Sequence, residues 1–153
     1  MKTITVKWLE KHNACIKGVE WFRNQTETDP IKLIEYFIKH RDKEQLQWGN
    51  WLIVRLMKYK QYLSYAIFAA EQVISIYEKK YPDDKRPRKA IEAAKKYLKN
   101  STKENKADAT YAVAAAAADA ATYDAAYIAA DAADAANKKI TIKILNYGLK
   151  LLK

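Results

Sequence analysis

Arg86 and Arg88 carry the sharpest chemical signal in this sequence. They stand in Tyr81-Pro82-Asp83-Asp84-Lys85-Arg86-Pro87-Arg88. Pro82 is placed to end one helix, and Asp83 or Asp84, with Pro87 in the first turn, to open the next. Cations at a helix N-terminus face the positive end of the macrodipole, at a cost of about 0.3 kcal/mol or more. Residues set against that rule need a partner. Asp83, Asp84 or Glu92 would tie the arginines internally, which is the simpler reading. A bound anion would instead draw on both guanidiniums and the unpaired backbone N–H groups, an arrangement suited to phosphate or carboxylate. Tyr81, Lys85, Arg86 and Arg88 are therefore the candidate ligand- or partner-binding residues.

The other reactive residue types form weaker patterns. Cys15, with His12 nearby, has the elements of a thiolate nucleophile or half a metal site. One cysteine and two histidines in the whole chain do not supply a usual zinc set, so no metal is expected. Flanked by Ala14 and Ile16, Cys15 reads as a small buried hydrophobe. Asp131 and Asp134 are three residues apart and could share a cation, although without further ligands a solvated face is the favoured reading. The sequence holds no glycine-rich phosphate loop and no nucleophile elbow, and Glu71 with Glu92 is a carboxylate pair that nothing positions. No catalytic residue and no cofactor is implied.

These residues need a helical frame. The chain has 153 residues, half of them hydrophobic, with only three glycines and three prolines. That composition predicts an all-α fold, a single-domain bundle of six or seven helices over residues 1–153. No apolar run reaches the ~20 residues of a membrane span, and the N-terminus does not read as a signal peptide. The lone cysteine fits a reducing cytoplasm. Net charge is +10 and unevenly spread: residues 107–136 carry five aspartates and no Lys or Arg, leaving +15 on the remainder. Such a surplus favours anionic partners, whether a nucleotide, nucleic acid or an acidic protein face, unless it serves only solubility.

Residues 48–88 are the stretch around which the chain must pack. Apolar residues fall on nearly every side, which predicts two central helices, about 48–57 and 61–80, covered on most faces. Trp51, Leu52, Leu56, Ala66, Ala69, Ala70, Val73 and Ile91 are the expected core. Arg55 and Glu71 lie in apolar surroundings on these two helices and are expected to meet as a partly buried structural pair. Upstream, Thr28-Asp29-Pro30 is a helix start followed by the stripe Ile31, Ile34, Phe37 and Ile38. Downstream, Ser101 and Glu104 read as a capping box. Within residues 107–136, Asp-Ala-Ala occurs four times, and a helical projection gathers seven alanines on one face opposite the aspartates. A straight helix from Thr102 to Asn137 would run ~50 Å, too long for the domain without a break or a protruding end. The tail alternates like a strand, yet without a partner strand it reads as a helix bringing Ile144, Leu145, Leu149 and Leu152 into the core.

The run from about Trp48 to Lys95 resembles the immunity proteins numbered group five, small all-helical proteins of bacterial polymorphic-toxin loci and bacteriophages. The most specific piece is Pro82-x-Asp84-x-Arg86-Pro87-Arg88-x-Ala90-Ile91-Glu92-Ala93-Ala94. The resemblance implies a non-enzymatic protein that neutralises a cognate toxin or host protein by stoichiometric binding. The alternative, drawn from the basic charge, is an anti-defence protein of phage type that sequesters an anionic nucleotide signal or nucleic acid.

Overall fold

Side-chain caps open three of the helices. The computed structural model describes residues 3–105 and 134–153, and all regular structure there is helical. The chain divides into two compact units, Met1–Leu56 and Met57–Lys153.

The first unit holds α1 (Val6–Lys11), α2 (Ile16–Arg23), α3 (Pro30–His40) and α4 (Lys43–Leu56). Thr5 Oγ1 accepts from Trp8 N–H at 3.1 Å to open α1. The chain turns after His12 through Asn13, whose φ of 57° is one that asparagine tolerates better than most residues. Asp29 Oδ1 accepts from Ile31 N–H at 2.8 Å, and Pro30 fills the first helical position of α3, as the sequence predicts. Asp42 Oδ1 accepts from Gln45 N–H at 2.9 Å, so α4 opens five residues before the expected start at position 48. α1 packs on α2 and α3 on α4, around fully buried Ile34 and Ile53 together with Phe37, Leu46 and Leu52.

The second unit holds α5 (Tyr59–Lys80), α6 (Arg86–Lys99) and α7 (Asp134–Leu152). Leu63, Ile67 and Ile74 of α5 enclose a core with Ile91, Ala94 and Tyr97 of α6. Leu145 and Leu149 of α7 are buried as expected, and Tyr147 stacks on Phe68 of α5 with ring centroids 4.0 Å apart. Gln61 ties the start of α5 in two directions. Its Oε1 accepts from Lys58 N–H at 2.9 Å, and its Nε2 donates to the Leu151 carbonyl at the end of α7.

Several expectations are corrected. Val73, expected in the core, is 41% exposed; Ile76 one turn on and Tyr62 three turns before it on α5 are exposed too. The 63–67–74 face of α5 takes the packing, so apolar residues on the opposite side are left outside. Leu52 and Ile91 are buried, whereas Trp51, Leu56, Ala66, Ala69 and Ala70 are half-buried. Cys15 is exposed rather than buried, because it occupies the N-cap position where the chain enters α2. Ser101 donates back to the Tyr97 carbonyl at 3.2 Å, and Thr102 Oγ1, one residue later, accepts from Asn105 N–H at 3.1 Å in the capping role. The expectations for residues 107–133, including the all-Ala face and a cation shared by Asp131, lie outside the described residues.

Candidate functional site

The turn between α5 and α6 gathers Tyr81, Lys85, Arg86 and Arg88 within one corner of the second unit. Pro82 follows the last turn of α5, and the Tyr81 carbonyl accepts from Asp84 N–H at 3.2 Å to close the turn. Lys85 Nζ donates to the Pro82 carbonyl at 2.7 Å. The Tyr81 ring lies 5.0 Å from that of Tyr77, with the Lys80 ammonium 5.3 Å from its centroid.

Asp84 is the hub. Its Oδ1 accepts from the Arg86 backbone N–H and from Arg86 Nε, both at 3.0 Å. Its Oδ2 accepts from Arg86 Nη2 at 2.7 Å and from the Tyr77 hydroxyl at 2.8 Å. The Arg86 guanidinium first, then the Arg86 backbone N–H and the Tyr77 hydroxyl, hold the Asp84 carboxyl well below the usual carboxylate range. Arg88 reaches back across the turn to Glu78 on α5, donating from Nε to Oε1 and from Nη2 to Oε2, both at 2.6 Å. That fork lowers the Glu78 carboxyl and raises the Arg88 guanidinium, by hydrogen bonding before charge.

The two arginines at the N-terminus of α6 thus have the partners that the macrodipole argument demands. Asp84 was among the partners expected from the sequence, whereas Glu78 was not. The missed signal is geometric: a tight turn folds the first turn of α6 onto the last turn of α5, bringing residues ten apart together. Both forks are closed on protein carboxylates, so a small anion would have to displace them to gain the same bidentate contact. The guanidiniums nevertheless remain accessible, with side chains 69% and 47% exposed over carboxylates that are 18% and 24% exposed. Between Glu78 and Lys89 the corner carries six cations against three carboxylates, a local excess of three positive charges.

The expected pairing of Arg55 with Glu71 requires burial that neither residue has. Arg55 is exposed; its guanidinium lies 3.8 Å from the Trp51 ring centroid, and Nη1 donates to the Trp51 carbonyl at 2.9 Å. Glu71 is exposed on α5 and pairs with Lys95 of α6. Apolar sequence neighbours misled here because on a helix the residues at i±1 point to other faces.

No helix among the described residues is long and apolar enough to cross a membrane. Comparison with curated proteins and with solved structures returns no match. Over residues 53–144, more than half of its length and including α5, the Tyr81–Arg88 corner and α6, the chain matches the family model described as "Imm-5 like putative immunity protein". The chain belongs to that family.

Proposed function

We propose that this protein neutralises a cognate toxin by stoichiometric, non-enzymatic binding in the cytoplasm, with the Tyr81–Arg88 corner on the contact surface. The observation that carries the reading is the state of the two arginines. Each is anchored by a bidentate fork and yet stays about half exposed or more. An arginine already fixed in place loses little further freedom on binding, and arginines beside tyrosines recur among residues that dominate interfaces. A protein face does not need the closed forks. It can stack on the planar guanidiniums and meet the local excess of positive charge with an acidic surface, which also speeds encounter.

The test is an Arg86→Ala/Arg88→Ala double variant co-expressed with the toxin of its own locus. Asp84 retains the Arg86 backbone N–H and the Tyr77 hydroxyl as donors, so the variant is expected to fold. It should lose protection and bind the purified toxin more weakly, with a flatter dependence on salt than the wild type. A variant that protects as well as the wild type while melting earlier would make the corner a structural tie only. If wild-type protein gives no protection, the immunity reading itself fails.

A further inference from the structure

The first unit contains a half-open cavity of about 470 Å³ whose wall lies entirely between Ile4 and Leu52. That puts it outside the matched residues 53–144, so an inference from it does not rest on the toxin-binding reading. The volume is within the range of small-molecule sites, roughly 300–1,000 Å³. Trp21, Phe22, Phe37, Trp48 and Trp51 line it, together with aliphatic groups. These rings are fixed by one another: Trp21 lies 5.1 Å from Phe37 and 5.9 Å from Trp48, and Phe37 lies 6.2 Å from Trp48, all at tilted or edge-on angles. Trp51 is held from outside by the edge of Trp8 at 6.1 Å and by the Arg55 guanidinium at 3.8 Å. A wall built in this way is set before any ligand arrives, and its tilted ring faces accept a further ring edge or face.

The polar part of the wall is close to neutral. Asn13 and Gln47 bring amides, and the carboxylate of Glu44 is matched by Lys17 Nζ at 3.3 Å. A net charge on a ligand would therefore lose water without gaining a counter-ion of its own. Gly18 on α2 keeps one side open. A Cβ there would lie 3.8 Å from the Trp48 ring and 3.3 Å from Cys15 Sγ, so any larger side chain grows into the cavity.

We propose that this cavity is a binding site for a neutral, planar aromatic molecule of two or three rings, held by the tryptophan and phenylalanine wall. N-phenyl-1-naphthylamine is a suitable probe, and its analogue 1-anilinonaphthalene-8-sulfonate differs by one sulfonate group, which brings a negative charge. A strongly basic surface attracts the sulfonate, whereas the cavity prefers the uncharged molecule, so the order of affinities separates surface from site.

All four tryptophans of the chain lie in this unit, so energy transfer from tryptophan to bound probe reports occupancy directly. The full chain should bind one N-phenyl-1-naphthylamine saturably, and the sulfonate about tenfold more weakly or worse. Gly18→Leu replaces a poor helix former with a good one and should stay folded while weakening the probe by about tenfold or more. Alkylation of Cys15, the single thiol, with N-phenylmaleimide fills the same space in the unaltered chain and should do likewise, whether or not Gly18→Leu folds.

Tighter binding of the sulfonate, non-saturable binding, or a probe indifferent to the alkylation of Cys15 would overturn the assignment. So would a wild-type protein that ignores the probe but needs Gly18 open to neutralise its toxin, because the cavity would then receive a partner's side chain.

Discussion

Leu33 and Ile34 are neighbours on α3 that lose the same number of carbons on truncation to alanine, yet they should not cost the same. Both are buried, at 4% and 0% exposure. Removing three methyl or methylene groups forfeits about 2.4 kcal/mol of transfer free energy at ~0.8 kcal/mol each. At Ile34, which is not on the cavity wall, truncation also opens a new void in close-packed surroundings. That brings the expected loss to about 3–4 kcal/mol, inside the range of about 2–5 kcal/mol for such changes. Leu33 lines the existing half-open cavity, so its truncation enlarges a space that solvent can already enter. The loss there should stay near the transfer value of about 2 kcal/mol. Urea unfolding followed by tryptophan emission measures both, because every tryptophan sits in this unit, and the comparison holds if the m-values agree. A cost at Ile34 below about 1.5 kcal/mol, or a cost at Leu33 equal to or above that at Ile34, would refute the reasoning from the cavity.

Two further predictions concern the second unit and the discarded ion pair. The Asp84 and Glu78 carboxyls are both depressed in the fold, so their contribution to stability is complete above the unfolded carboxylate range near about 4 and is lost as pH falls through the lower folded values. Melting of the α5–α6 hairpin should weaken steadily below about pH 4, and Asp84→Asn should flatten that dependence; a wild-type profile level down to about pH 2 would exclude the linkage. Arg55→Ala and Glu71→Ala should each cost less than about 1 kcal/mol in chemical denaturation, as exposed charged groups do. A loss of about 3 kcal/mol from either would instead signal a buried, stranded partner.

Local physics was legible in the sequence wherever a residue acts through its own backbone. Asp29-Pro30 opens α3 as the capping rule requires, and Pro82 follows the end of α5. The strand-like alternation of the tail yields to a helix, and no strand lies among the described residues to complete its backbone hydrogen bonds otherwise. The family, too, was readable from the segment around Pro82–Ala94. Register was harder. Periodicity marked α5 as apolar on most sides and so could not say which side packs; contacts with α6 and α7 selected Leu63, Ile67 and Ile74 and left Val73 and Ile76 outside.

The same division runs through the candidate sites. The sequence by itself determined that Arg86 and Arg88 stand at a helix N-terminus and need counter-charges, since caps and the macrodipole act within a single turn of chain. Only the tertiary fold decided that Arg88 takes Glu78 from the preceding helix and that Glu71 pairs with Lys95 of α6, whereas Arg55 on Trp51 is an i, i+4 contact within α4. The cavity belongs wholly to the second kind. Its wall draws on residues from Ile4 to Leu52, scattered over the N-terminal segment and all four helices of the first unit. A concave surface is a relation between helices, and no run of residues along one helix encodes it.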